Sequence, residues 1–145
     1  MAERHMKDIV HDRQVVHDRQ PVMLSPGTSV QEACQRMRER RVGAVLVTDR
    51  GKLRGIFTGR DAVRLLAEGK ADCKTPVGEV MTKNPVTIAA GEGAIEALRL
   101  MQDCGCRHLP VIDSGKVVGV VSKGDFRGME QARLDEETGY FERLW

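Results

Sequence analysis

Residues 21–61 return as residues 85–125 without a gap, at a constant offset of 64. Twelve of the 41 paired positions are identical. Pro21-Val22 matches Pro85-Val86, Glu32-Ala33 matches Glu96-Ala97, and Met37 matches Met101. Asp49, Gly51 and Lys52 match Asp113, Gly115 and Lys116. Gly-Ile-Phe-Thr-Gly-Arg-Asp at 55–61 matches Gly-Val-Val-Ser-Lys-Gly-Asp at 119–125. A short repeat cannot bury its apolar face alone, so the two copies are expected to pack together. That arrangement relates them by a pseudo-twofold axis and turns the two copies of any polar site toward each other.

The 145 residues are expected to form one domain built from two sub-units, with 41% hydrophobic and 30% charged residues. No apolar run approaches the roughly 18–20 residues that span a bilayer. Met1 to Arg13 carry no apolar core of a signal peptide, so a cytoplasmic location is expected. A net charge of +2 argues against a nucleic-acid surface, and five aromatic residues are too few for base-stacking platforms. Of these five, Tyr140, Phe141 and Trp145 fall in the last six residues, where they would dock on the parent domain or on a partner.

The four cysteines are Cys34, Cys73, Cys104 and Cys106, read as reduced thiols for want of a secretory signal. Cys104, Cys106 and His108 lack the C-x-x-C spacing and the fourth ligand of a zinc site, and read as small, partly buried residues. His-Asp-Arg-Gln occurs twice, at 11–14 and 17–20, in what reads as a solvated lead-in helix or arm.

The pattern predicts an α+β (mixed α/β) chain. Residues 1–14 form the arm or helix, 15–69 the first unit, 70–76 a polar linker, 77–129 the second unit, and 130–145 a helical tail. Each unit runs β-α-β-β-α. Ser29 with Glu32 marks a helix start, and Val30, Ala33, Cys34 and Met37 share one helical face. Ala44 to Val47 is an uninterrupted apolar run, hence a buried strand. Gly51 turns the chain into the partner strand, Leu53 to Phe57. The second unit repeats this with strands at 86–88, 109–112 and 117–121 and a helix over 92–104.

Each unit ends its last strand in Gly-apolar-apolar-Thr/Ser-x-x-Asp, as Gly55…Thr58…Asp61 and Gly119…Ser122…Asp125. The hydroxyl residue stands where a strand becomes a helix, so backbone N–H groups and the positive end of the helix dipole converge on one spot and favour an anion such as phosphate. Thr58 and Ser122 add hydroxyls. Arg60 and Lys123 add cations beside Gly59 and Gly124. Asp61 and Asp125 lie one turn in, where a carboxylate can accept both hydrogen bonds of a vicinal diol. Phosphate donors beside a diol acceptor describe a nucleotide. The same residues also describe an ordinary helix cap. Neither G-x-x-x-x-G-K-[ST] nor G-x-G-x-x-G occurs.

The repeat order, the Gly-h-h-[ST]-x-x-Asp endings and the Val-Met-Thr-x-x-Pro-Val segment from Val80 to Val86 resemble a tandem pair of CBS (cystathionine beta-synthase) domains, a Bateman module. The resemblance covers roughly residues 15–128. It implies two paired β-α-β-β-α units, a homodimer, and binding of an adenosine-containing ligand: AMP, ADP, ATP, NAD or S-adenosylmethionine. It also assigns hydroxyls to phosphate and carboxylates to ribose. The resemblance further implies that Val42, Gly43 and Ala44 in one unit, and Cys106, Arg107 and His108 in the other, line the adenine cleft, together with Val16-His17 and with Val80 and Met81. Arg107 or His108 would pair with phosphate, or stand solvated at a strand start. Val16-His17-Asp18 departs from the Val-Met-Thr of the second unit.

The functional expectation is a regulatory, energy-sensing module that binds an adenine nucleotide and acts in trans on an unidentified partner through an occupancy-dependent change of shape. The alternative is a constitutive dimeric scaffold that binds no nucleotide. No nucleophile–base pair, paired carboxylates or convincing metal set supports an enzyme or a catalytic cofactor.

Overall fold

The computed structural model describes residues 3–11, 20–70 and 72–126. The expectations for Val16 and for the aromatic tail lie outside them. The described residues divide into two compact units, one drawn from Arg13–Pro85 and the other from Met1–Asp12 together with Val86–Trp145.

In the first of these, β1 (Met23–Leu24), α2 (Val30–Arg40), β2 (Ala44–Asp49), β3 (Lys52–Thr58) and α3 (Gly59–Glu68) are followed by a short α4 (Val77–Val80) and β4 (Thr82–Lys83). The four strands form one sheet in the order β1-β2-β3-β4. Val45, Leu46 and Val47 are fully buried, as an uninterrupted apolar run requires. The β2–β3 hairpin turns on Arg50 (φ 53°) and Gly51 (φ 77°). Positive φ at both central residues matches the twist of the flanking strands, so Arg50 shares the role assigned to Gly51 alone. Ser29 accepts from the Glu32 amide at 3.1 Å and starts α2, which buries Ala33 and Met37. In α3, Leu65 enters the core with Phe57, Val22 and Val77, whereas Val63 and Leu66 are 68% and 79% exposed.

Residues 72–76 of the expected linker do more than link, and residues 77–83 pack on the same unit. The Val30 and Gln31 amides donate to the carbonyls of Thr75 (2.8 Å) and Cys73 (3.1 Å), supplying partners to the first turn of α2. Val77 is fully buried, and its amide donates to the Thr28 carbonyl at 2.7 Å. Gly78 lies so close to Pro26 that a Cβ would sit 2.8 Å from the proline Cβ. β4 then pairs with β3, Gly55 opposite Lys83 and Ile56 opposite Thr82. Thr82 and Lys83, just ahead of the second repeat, therefore complete the sheet of the first.

The other unit contains β5 (Ile88–Ala89), α5 (Ala94–Cys104), β6 (His108–Asp113) and β7 (Lys116–Ser122), with sheet order β5-β6-β7 and a hairpin on Ser114 (φ 53°) and Gly115 (φ 79°). It also contains α1 (Met6–His11). This helix is not the solvated lead-in that its charges suggest. Met6, Ile9 and Val10, at i, i+3 and i+4, are at most 7% exposed and join Leu109, Val111 and Val121 in one core. The polar residues between them hide the stripe. The Met6 and Lys7 amides donate to the carbonyls of Glu92 and Ala90 (both 2.9 Å). Gly93 precedes α5 without a capping side chain, and Glu3 takes that part by accepting from the Ile95 amide at 3.0 Å. No helix among the described residues is long and apolar enough to cross a membrane.

Cys104 and Cys106 are joined in a disulfide, contrary to the expectation of reduced thiols, whereas Cys34 and Cys73 are free. Gly105 between them takes a left-handed conformation (φ 67°), which brings their Cα atoms to 5.3 Å. That separation falls within the range a disulfide spans.

Candidate functional site

Thr58 is extended (φ −118°, ψ 165°) and hands β3 to α3. Its hydroxyl oxygen accepts from the Asp61 amide at 3.2 Å, and Asp61 Oδ2 accepts from the Thr58 amide at 3.0 Å. The pair forms a reciprocal capping box. Asp61 is the buried charged residue of the described chain, 8% exposed, with Oδ1 3.5 Å from Arg64 Nη2. Arg60 is exposed on the same turn. The Gly59 amide donates to the Gly43 carbonyl at 3.0 Å, and Ala44 stands opposite Thr58 in the β2–β3 register. The structure thus brings Val42, Gly43 and Ala44 against Thr58, Gly59, Arg60 and Asp61. Val80 and Met81 pack on the core of the same unit, with Met81 over Gly55.

The equivalent turn in the other unit is built alike. His108 stands opposite Ser122, and the Lys123 amide donates to the Arg107 carbonyl at 2.9 Å. Asp125 Oδ2 accepts from the Ser122 amide at 2.6 Å and from its hydroxyl at 3.2 Å. Lys123, Gly124 and Asp125 form a 3-10 turn. Arg4 Nη2 donates to the Asp125 carbonyl at 3.0 Å, a contact that no spacing in the sequence foreshadows.

The convergence of unpaired N–H groups expected at these turns is reduced. The amides of Gly59 and Asp61 already have partners in Gly43 and Thr58, as does that of Lys123 in Arg107. The Thr58 hydroxyl accepts one bond and retains its own proton to donate. The helix dipole of the ten-residue α3 also remains directed at this spot. Among the described residues, no group of three or more His, Cys, Asp or Glu side chains could hold a metal ion. A groove of about 570 Å³ opens beside Asp49, Arg54 and Lys83 and is lined also by Met81.

A family model described as CBS domain matches residues 7–68 and 77–129. The chain belongs to the CBS domain family. The first match begins inside α1, ahead of the repeat visible by eye. The CBS domain-containing protein YhcV of Bacillus subtilis is 39% identical over 103 residues, covering 70% of this chain and 73% of that protein. The CBS domain-containing protein CBSCBSPB2 of Arabidopsis thaliana is 45% identical over 100 residues, or 68% of this chain. The chain spans about a fifth of the length of that relative (19%). Among solved structures, the CBS domain pair of protein MJ0100, in complex with 5′-methylthioadenosine and S-adenosyl-L-methionine, superposes with a TM-score of 0.73 at 25% identity, covering 94% of this chain and 99% of that one. None of these names carries a catalytic activity.

Proposed function

We propose that this CBS-domain chain is a regulatory module that binds an adenosine-containing ligand (AMP, ADP, ATP, NAD or S-adenosylmethionine) and acts on a partner protein through an occupancy-dependent change of shape. Assembly as a homodimer in the cytoplasm belongs to the same reading. The observation that carries it is the duplicated turn. Both units place a hydroxyl, a carboxylate and a basic residue at the end of a buried strand, and tie that turn by one backbone bond to the start of the neighbouring strand. The adenosine compounds held by the MJ0100 pair support the ligand class. Regulation requires that the two functional states of the module differ in affinity for the ligand.

One observation favours a second reading, a constitutive scaffold. Thr58 and Asp61 satisfy each other, so a helix cap alone accounts for them. Thermal melts with each of the five ligands at millimolar concentration separate the two. A ligand present at about 100 times its dissociation constant stabilises by roughly 2.7 kcal/mol. A selective rise in Tm that disappears in the Thr58→Ala/Asp61→Ala and Ser122→Ala/Asp125→Ala double variants supports the sensor. No rise with any ligand supports the scaffold.

A further inference from the structure

At the 64-residue offset, Cys104-Gly105-Cys106 occupies the place of Arg40-Arg41-Val42. The two segments close their helices in the same way. The Val42 amide donates to the Met37 carbonyl, and the Cys106 amide to the Met101 carbonyl, both at 3.1 Å. The residue before each is left-handed, Arg41 at φ 54° and Gly105 at φ 67°. The residue after each, Gly43 or Arg107, offers its carbonyl to the ligand-site turn. The two repeats therefore share one scaffold, and only the second carries a dithiol on it.

We propose that Cys104 and Cys106 are a reversible thiol–disulfide exchange site, with low-molecular-weight disulfides and thiols as co-reactants, and that its redox state sets the position of Arg107 and of the Ser122–Asp125 turn. Cys104 is exposed at the end of α5, within reach of a small disulfide. Cys106 is partly buried against the core of its unit and stays anchored. Gly105 lets the chain take the conformation that brings the two sulfurs together. The disulfide ends one peptide before Arg107, whose carbonyl holds the Lys123 amide at 2.9 Å. Breaking it frees the torsions of the C-x-C segment, which runs from the end of α5 directly through Arg107 into β6.

The exchange balances. The Cys104 thiolate attacks one sulfur of RSSR, forming a Cys104–SR mixed disulfide and expelling RS⁻. The Cys106 thiolate then attacks the Cys104 sulfur and expels the second RS⁻. The protein dithiol loses two electrons and two protons, and the reagent gains them as two RSH. Excess RSH reverses both steps.

Trypsin releases Leu100–Arg107, which contains Cys104 and Cys106 but neither Cys34 nor Cys73. The protein is equilibrated with glutathione disulfide or with reduced glutathione, quenched with acid, alkylated and digested. The expected oxidised peptide is two hydrogens lighter and takes no alkyl group, and the expected reduced peptide takes two. Amide NMR of the ligand-free protein should then show Arg107, His108 and Lys123 moving between the two states, with no such movement in Cys104→Ser/Cys106→Ser. Persistent mixed disulfides at this peptide, pairing with Cys34 or Cys73, or shifts confined to 104–106 would overturn the proposal. The consequence for ligand affinity rests on the function proposed above: AMP, or whichever of the five ligands binds, should differ about fivefold or more between the two states. Binding by neither state removes that function while leaving the NMR result to decide the exchange site.

Discussion

The Gly59 amide donates to the Gly43 carbonyl across 3.0 Å, fastening the first residue of α3 to the residue just ahead of β2. Sixty-four residues on, Lys123 donates to Arg107 across 2.9 Å. One bond, made twice, keeps the hydroxyl-bearing turn against the strand start that would face an adenine. Neither bond involves a side chain, so the identities of residues 43, 59, 107 and 123 are free to differ between repeats while the geometry is kept.

Thr58→Ala removes the acceptor for the Asp61 amide and should destabilise by about 1 kcal/mol, the usual cost of a lost N-cap. Thr58→Ser should recover most of it. Urea unfolding measures the stability, and calorimetric titration of the same proteins measures the ligand. If Thr58→Ala loses stability but keeps full ligand affinity, the hydroxyl is a cap and nothing more.

Two glycines of β3 and α3 should respond oppositely to alanine. A Cβ at Gly55 would lie 2.5 Å from Met81 Sδ and 2.6 Å from the Thr82 carbonyl oxygen, so Gly55→Ala should part β3 from β4 at a cost of about 1–3 kcal/mol. A Cβ at Gly59 meets nothing within 4 Å, and its φ is not left-handed. Gly59→Ala should be neutral or stabilise by about 0.4–1 kcal/mol. Equal midpoints for the two variants in denaturant would contradict this packing.

Ile9→Ala empties a site that is 1% exposed and should cost about 2–5 kcal/mol. Hydrogen exchange locates the damage. Amides of β6 and β7, which share a core with α1, should lose protection, whereas those of β2 and β3 should keep it. Uniform loss across all four strands would deny that α1 belongs to the second repeat's unit.

Burial, and secondarily the charge of Cys73, raises the Cys34 thiol above its ordinary pKa. A raised pKa means less thiolate at any given pH, and the thiolate is the nucleophile. At mildly alkaline pH, iodoacetamide should therefore modify exposed Cys73 well before Cys34, and the Cys34 rate should still be climbing there. A peptide map over a pH series reads both rates, and faster labelling of Cys34 would contradict its placement.

Arg41 holds a left-handed conformation (φ 54°) at the end of α2, where the other repeat has Gly105. Arg41→Gly should relieve that backbone and raise stability by about 0.5–1 kcal/mol, seen as a higher Tm. A lower Tm would mean that the Arg41 side chain holds something that the backbone argument leaves out.

The repeat itself was enough to place α2, both hairpins and the Thr58 and Ser122 turns, because local signals coincide there: a cap, a 3.6-residue stripe, a turn glycine. The rest depends on contacts between residues far apart in the chain or on backbone conformation. Met6, Ile9 and Val10 make only three apolar positions among charges, too short a stripe to stand out, and their partners begin at Ile88, far along the chain. The pairing of Thr82-Lys83 with β3 is a long-range contact that no local pattern announces. Arg4 and Glu3 act through backbone atoms of Asp125 and Ile95, which no side-chain pattern encodes. The Cys104–Cys106 bond depends on a left-handed glycine, visible as Gly105 but not as a conformation.

Because residues 3–11 complete the unit that holds β6 and β7, their partners are synthesised much later than they are. The unit of β1 to β4 closes over a chain segment of some sixty residues and can form while the rest is still being made. The other must leave Met6, Ile9 and Val10 uncovered until β7 arrives, more than a hundred residues later. At roughly 5–20 residues per second, that wait lasts seconds, with an apolar stripe open to chaperones or to a neighbouring nascent chain. A truncation that spares every residue of the repeat but removes this short helix would be expected to slow folding as well as weaken the product.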